Sequence, residues 1–591
     1  MKQLVLTKWM LNEELQGLLL FVQLMDEMLF HFNTHSTKVH ATNVRTLAFE
    51  AKKLINKVKT EKINVLPNLL PLIEEIKINL KTDSVAKKLL GIREDFIVKK
   101  LNTTDNIDEV EHSIDAMLRH LGNNRYLIET QTQLREAIKN PREKKLISVL
   151  SRTLTSELLN LGYDKQFMYF SLKDLFITPI EEVTSLEDIS KYFELFKGIK
   201  KEFIIFRLVN RNFKLFRDIA DPLDIISMRD EIPSTISSLK EKKFYDNKKA
   251  FEIIIESRIY ALDYFHAARI SNNRLTSLSN VISLYSHTKK LTWNKWALVC
   301  DNDGNVQSIK PSIHLMETRP NMKEEDVIKH TILTLSGTGL SEESSLRLRT
   351  IVALHGAAMK TDLQQSQLLN LWSAVETLFP VPRDKNSRIN YLISCISPIL
   401  RKIYISSLFL EFYLDITRIL PDLKLDDIAG STNLERFIAL VCLDEYKSER
   451  TERLYKKFNQ INPLAINRIF ELKTIYSDPK TILKSIEIHQ QKVEWQLHRI
   501  YRCRNEIVHS GYYNMPFLST LIENLHYYVD VIIEYVQNVI KSGINIRNFE
   551  AVVYDCNIEN EYHINILKEH IGTKINKDNY KSLILGHKVQ A

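Results

Sequence analysis

Two side chains near residue 505 are of the types that handle a phosphodiester. They lie in the run Arg504-Asn505-Glu506-Ile507-Val508-His509-Ser510-Gly511. A guanidinium is a permanently charged planar fork suited to phosphate oxygens. An imidazole is the side chain that exchanges protons most readily near neutral pH. Spacing alone proves little here. With 29 Arg and 17 His in the chain, about two or three Arg–His pairs at this separation arise by chance. Two others do occur, Arg349 with His355 and Arg502 with His509.

The elements around the pair separate these cases. Read at 100° per residue, residues 492–509 form one helix, with Val493, Leu497, Ile500, Ile507 and Val508 on a single face. Arg504 falls within that apolar stripe, where a guanidinium needs a carboxylate, a phosphate or a subunit interface. Arg502 projects to the opposite side and is expected to be solvated. Ser510-Gly511 supplies a helix stop, which puts His509 on the last turn, among unpaired carbonyls that attract cations. On an ideal helix His509 lies about 140° around from Arg504. The two meet on one phosphate only if the helix frays before Ser510 or a second chain supplies one of them. The bland alternative is an Arg paired with a buried acid and a His that merely caps. Arg349 and His355 sit mid-helix among Ile351, Val352, Ala353 and Leu354 and are read as structural.

A second segment, Leu368-Leu369-Asn370-Leu371-Trp372-Ser373-Ala374-Val375-Glu376-Thr377-Leu378-Phe379, reads as a core helix with Glu376 at the edge of its apolar face. Glu376 could support Arg504 from behind or pair with a structural base. Arg383, Lys385 and Arg388 follow Pro380-Val381-Pro382 on an expected loop. They could track an RNA backbone, although a solvated charged loop is the commoner explanation.

Together the two segments resemble the HEPN ribonuclease family. Arg504-Asn505 with His509 is similar to its R-N-x-x-x-H signature. Trp372, Ala374, Glu376 and Leu378 resemble the Trp-x-Ala-x-Glu-x-Leu helix of the ApeA-like HEPN subgroup. The resemblance covers residues 341–545. The wide gap between the segments implies inserted helices within residues 389–477. What it implies is a helical bundle that cuts RNA, transfer RNA included, without metal or cofactor. Its catalytic residues would be Arg504, Asn505 and His509, its supporting acid Glu376, and its active form a homodimer whose two motifs face each other. In this family such an enzyme serves abortive infection against phage, so a phage-derived trigger is the implied further partner. The alternative is a non-catalytic HEPN scaffold that binds RNA or protein.

The rest of the sequence sets the frame. At 591 residues the chain is long enough for several domains. Only 14 Gly and 15 Pro argue for long helices, hence a mainly α fold with a minor β element. A net charge of +8 permits nucleic-acid binding without establishing it. Five scattered cysteines with no C-x-x-C pair indicate neither a disulfide framework nor a zinc site, and a cytoplasmic setting. The apolar run at residues 17–32 is broken by Gln23, Asp26 and Glu27, so no membrane span or signal peptide is expected. Residues 1–160 read as a helical N-terminal region and 161–340 as a mixed middle or sensor region. Residues 341–545 read as the HEPN bundle and 546–591 as an appendage.

Within the middle region, residues 203–209 read as a strand. Residues 297–300 and 306–309 read as a hairpin about an Asp-Gly turn, with Asp301 to Asn305 a turn rather than a calcium loop. Residues 250–268 read as a helix, 336–339 as a linker and 549–554 as a strand. His31, His35 and His40 are assigned no role.

Overall fold

The computed structural model describes the chain except residues 1–5, 11, 30–41, 62–65, 102–105, 123, 141, 215–224, 232–243, 245, 247, 288–290, 311–323, 337–338, 383–386, 447–453, 457, 459–460, 511–516, 542–547 and 587–591. The architecture is mainly α with one small antiparallel sheet. Two compact units partition the chain. One comprises residues 1–157, 181–186 and 314–591, and the other residues 158–180 and 187–313.

The larger unit begins with α1 (Gln16–Leu29), α2 (Val44–Glu61), α3 (Leu66–Leu80), α4 (Ser84–Leu90), α5 (Arg93–Lys100), α6 (Ile107–Leu121), α7 (Arg125–Ile138) and α8 (Lys144–Leu161), whose residues from 158 onward are counted in the smaller unit. In α1 every residue from Gly17 to Leu29 is buried. The polar residues that interrupt this run make internal contacts. Gln23 donates to the Ile461 carbonyl at 3.1 Å and accepts from the Leu464 N–H at 3.1 Å. Glu27 pairs with Arg468. Gly17 permits the close approach to α7, since a Cβ there would lie 2.1 Å from the Ile138 carbonyl oxygen.

The smaller unit holds α9 (Lys165–Leu172), α10 (Asp188–Glu194), β1 (Lys201–Asn210), β2 (Ile225–Arg229), β3 (Glu252–Ala261), α11 (Tyr264–Tyr285), β4 (Trp293–Asp301) and β5 (Val306–Ile309). The strand order is β2-β3-β1-β4-β5, with every pairing antiparallel. The expected strand at 203–209 and the hairpin are present. The helix expected over residues 250–268 is corrected, because residues 252–261 form β3 and the helix starts at Tyr264. Ile253, Ile254 and Ile255 are all buried in succession. The first and third pack with Leu275 and Leu278 of α11, and Ile254 packs on the other face with Phe206 and Leu298. A run of β-branched residues buried on both faces of a sheet shows no alternation, so periodicity could not distinguish it from a helix.

The larger unit resumes with α12 (Glu324–Ser336), α13 (Glu342–Lys360), α14 (Gln364–Leu378), α15 (Arg388–Ile419), α16 (Asn433–Cys442), α17 (Pro463–Tyr476), α18 (Pro479–Ser510), α19 (Leu518–Lys541), α20 (Phe549–Glu569) and α21 (Tyr580–Leu585). These build two cores. The first takes Trp372 and Val375 from α14, Leu392 and Ile396 from α15, Leu497 and Ile500 from α18, Leu521 and Leu525 from α19, and Val552 and Cys556 from α20. The second joins α16, α17 and α21 to the remaining lengths of the long helices: Phe409 and Ile416, Ile482, and Leu567. Helices between 389 and 477 therefore pack in a core shared with α18, α20 and α21.

Residues 549–554 are helix rather than strand. Asn548 caps α20 by accepting the Ala551 N–H at 2.8 Å. Phe549, Val552 and Val553 lie in the first core, so hydrophobic packing there runs past residue 545. Among the described residues α15 alone is long and apolar enough to cross a bilayer, and 56% of its most apolar window is buried within the protein.

Candidate active site

Helix α18 carries the Arg–Asn–His run. Its core face is Val493, Leu497, Ile500, Cys503 and Ile507, all buried. Spacings of three and four residues hold these on one stripe. Trp372 of α14 is fully buried and its ring lies 5.7 Å from that of Tyr501. This contact sets the α14 segment beside the Arg504 segment.

Arg504 falls within the stripe by angle, with 22% of its side chain exposed. Its Nη2 is 3.5 Å from Glu376 Oε2, and its Nη1 donates to Asn505 Oδ1 at 3.1 Å. The other Glu376 oxygen lies 3.6 Å from Nη1 of Arg388, at the first residue of α15. One carboxylate therefore stands between two guanidiniums, leaving the group with a net positive charge. At 3.5–3.6 Å these ion pairs are loose, and Glu376 Oε1 is buried without a hydrogen-bond partner. Arg504 has five N–H donors and these two contacts do not exhaust them. A phosphate oxygen is a suitable acceptor for the remainder.

His509 is exposed on the last turn of α18. The helix is continuous through Ser510, so it does not fray to swing His509 toward Arg504. The two remain about 140° apart around the axis. Val508, expected on the buried stripe, is 50% exposed. Its apolar surface adjoins Arg504 on the helix. Gly511, Arg383 and Lys385 lie outside the described residues.

No family model, curated protein or solved structure matches the chain.

The opposite face of α18 holds a charge network that the sequence did not disclose. Arg499 is fully buried, with Nε donating to Glu50 of α2 at 2.9 Å and Nη2 to Glu75 of α3 at 2.5 Å. Arg502 donates to the second Glu50 oxygen at 2.6 Å, which corrects the expectation that Arg502 is solvated. Farther along, Glu506 meets Lys53 at 2.6 Å and Lys57 at 3.2 Å. Burial pushes the Glu50 carboxyl up, but the Arg499 and Arg502 guanidiniums outweigh it and bring it down to about 2. Glu75 moves the other way, because burial exceeds the help it draws from Arg499. Residues 499, 502 and 506 share one helix face, and His509 emerges about 20° from Arg502. The N-terminal helices and the 341–545 segment thus belong to one compact unit, not two separate regions.

The other candidates separate cleanly. Arg349 is exposed, whereas His355 turns to Asp530 with Nε2 3.1 Å from Oδ1, so they do not act on a common group. Asp301 accepts the N–H groups of Asp303 and Asn305 at 3.1 and 2.8 Å and the Tyr264 hydroxyl at 2.5 Å. Its carboxylate is a turn cap. His31, His35 and His40 lie outside the described residues.

Proposed function

We propose that this protein is a HEPN-type endoribonuclease that acts as a homodimer on RNA without a metal ion, with transfer RNA the first substrate to try. The ribose 2′-OH attacks the adjacent phosphorus, the 5′-oxygen leaves, and a 2′,3′-cyclic phosphate remains. His509 removes the 2′-OH proton or protonates the departing oxygen. Arg504 binds the non-bridging oxygens and offsets the charge that builds on them. Asn505 and Glu376 hold the Arg504 fork in place, and Arg388, with Arg383 and Lys385, follows the RNA backbone. The observation that carries this reading is a half-buried guanidinium, held by Glu376 and Asn505, on the same helix end as an exposed imidazole.

The proposed biological role is cytoplasmic anti-phage defence by abortive infection. The N-terminal helices restrain the nuclease until a phage product is sensed. Supporting this, α2 and α3 grip α18 through Arg499, Arg502 and Glu506, on the side from which His509 emerges.

One observation favours a second reading, a non-catalytic scaffold: both contacts of Arg504 are internal to the chain. Incubating wild-type and His509→Ala protein with total tRNA and a structured RNA in EDTA, then mapping product ends, separates the two. Cyclic-phosphate ends made by the wild type and lost in the variant support the nuclease. No cleavage by either, in buffer or in phage-infected lysate, leaves the scaffold.

A further inference from the structure

His355 of α13 and His526 and Asp530 of α19 bring two imidazoles and a carboxylate together. One donor atom from each lies within 4.8 Å of the other two. His355 Nε2 is 3.1 Å from Asp530 Oδ1, and His526 Nε2 is 3.6 Å from Asp530 Oδ2. His526 and Asp530 are four residues apart, which places both on one face of α19. The imidazole rings stack at 4.9 Å. The side chains are 26%, 6% and 14% exposed in the order His355, His526, Asp530, so the cluster is set into the bundle with one side toward solvent.

Two features point beyond an ordinary ion pair. His355 Nε2 is buried and makes no hydrogen bond, although a carboxylate oxygen is 3.1 Å away. A ring nitrogen that close but out of line for donation is arranged like one of two ligands to a shared cation. The spacing also fits. Donors around a tetrahedral zinc ion, at bonds of about 2.0–2.1 Å, lie roughly 3.3–3.4 Å apart. The His355 Nε2–Asp530 Oδ1 separation is within a few tenths of an ångström of that edge, and His526 Nε2 faces the carboxylate's other oxygen at 3.6 Å.

We propose that His355, His526 and Asp530 bind one divalent transition-metal ion, zinc in the first instance, with the fourth position open to water. Two imidazoles and one carboxylate suit zinc. Magnesium and calcium favour all-oxygen shells and are disfavoured here. Bound there, the ion clamps α13 to α19 across the first core and stabilises the fold, because the unfolded chain does not hold the three ligands together. The inference is independent of the cleavage reading.

The test uses full-length protein, stripped with a chelator and desalted. Zinc stoichiometry by elemental analysis, zinc and magnesium titration calorimetry, and thermal melts are run on wild type, His355→Gln, Asp530→Asn and, as a control, His509→Ala. The expected result is one zinc per chain and a zinc-dependent rise in Tm for wild type and His509→Ala, with no response to magnesium. His355→Gln and Asp530→Asn should each lose at least about tenfold in zinc affinity. If circular dichroism shows that Asp530→Asn fails to fold, His355→Gln decides, since its side chain is partly exposed. Equal zinc content in wild type and His355→Gln overturns the proposal, as does an absent zinc response in wild type.

Discussion

Arg499 and Glu50, 449 positions apart in sequence, meet at 2.9 Å in the interior, and they tie the helix bearing Arg504 and His509 to the N-terminal helices. Breaking a buried pair from one side strands the partner charge, which typically costs about 3–5 kcal/mol. Glu50→Gln should destabilise the larger unit by that order. Because Glu75 also rests on Arg499, a triple replacement of Glu50, Glu75 and Arg499 by apolar residues of similar volume should recover part of the loss. Urea denaturation of the wild type and the two variants measures both effects, and equal stability of wild type and Glu50→Gln would contradict the assignment.

The same pair sets an acid limb. Glu50 is held at about 2, below its ordinary 4.5. A lowered carboxyl contributes stability that is complete above 4.5 and is lost as pH falls through about 2. Glu75, raised by burial, acts with the opposite sign. Glu50→Gln should therefore flatten the loss of stability between pH 4.5 and 2 as well as lowering the whole curve. Urea midpoints across that range check the slope.

In the smaller unit two neighbours titrate against each other. Burial, and then the charge of Asp164, raises Asp263 from 3.8 to about 7. Burial, and then Arg269, lowers His266 from 6.5 to about 4. A raised acid favours the fold at low pH and loses that contribution as pH rises toward 7. A lowered imidazole favours the fold above 6.5 and loses that contribution as pH falls toward 4. Each slope is about 1.4 kcal/mol per pH unit, so they oppose between pH 4 and 6.5. Asp263→Asn keeps a competent cap for the His266 N–H and unmasks the imidazole. We expect the variant to gain more stability than the wild type as pH rises through that window. Pulse proteolysis in urea at several pH values gives both curves.

How much was legible depends on how local each determinant is. Scarce Gly and Pro announced the helices, and the Asp-Gly turn announced the β4–β5 hairpin. Strand β3 was not legible, because Ile253, Ile254 and Ile255 are buried on both faces and so lose the alternation that marks a strand. Residues 549–554 misled in the same way, with apolar neighbours that also fit a helix capped by Asn548. At the site, Glu376 could be named as a partner of Arg504 because the two segments were read together. Arg499 could not, since its need for Glu50 and Glu75 arises from packing between helices hundreds of residues apart. Arg502 looked solvated because a face polar in sequence can still be covered by another polar face.

Glu376 is where the candidate site can be loosened without removing its charge. Its carboxylate lies between Arg388 and Arg504, and Glu376→Gln would release the Arg504 fork. A catalytic group displaced by about 1 Å can cost about 100-fold in rate. We expect kcat on RNA to fall roughly 10–100-fold while KM holds or drops, because the local positive charge increases. A raised KM with unchanged kcat would make Glu376 a binding determinant instead. Steady-state kinetics on the RNA cleaved by the wild type distinguishes them.

The geometry of α18 makes one demand on the nuclease reading. Arg504 and His509 lie about 140° apart on a helix continuous to Ser510, so one chain does not aim both at the same phosphate. If two chains meet about a two-fold axis, Arg504 of each faces His509 of the other. The exposed Val508 lies beside Arg504, where such an interface would cover it. Arg504→Ala and His509→Ala proteins are then each inactive alone, but a mixed dimer carries one intact site and one doubly defective site. Random exchange makes half the dimers mixed, so about a quarter of wild-type sites should return. Mixing the two inactive proteins under conditions that allow subunit exchange, then measuring RNA cleavage, gives the answer. Recovery near that level places the site across the interface. No recovery, with exchange confirmed by differently tagged chains, would require both groups to act within one chain, and the continuous helix would then argue against joint catalysis by Arg504 and His509.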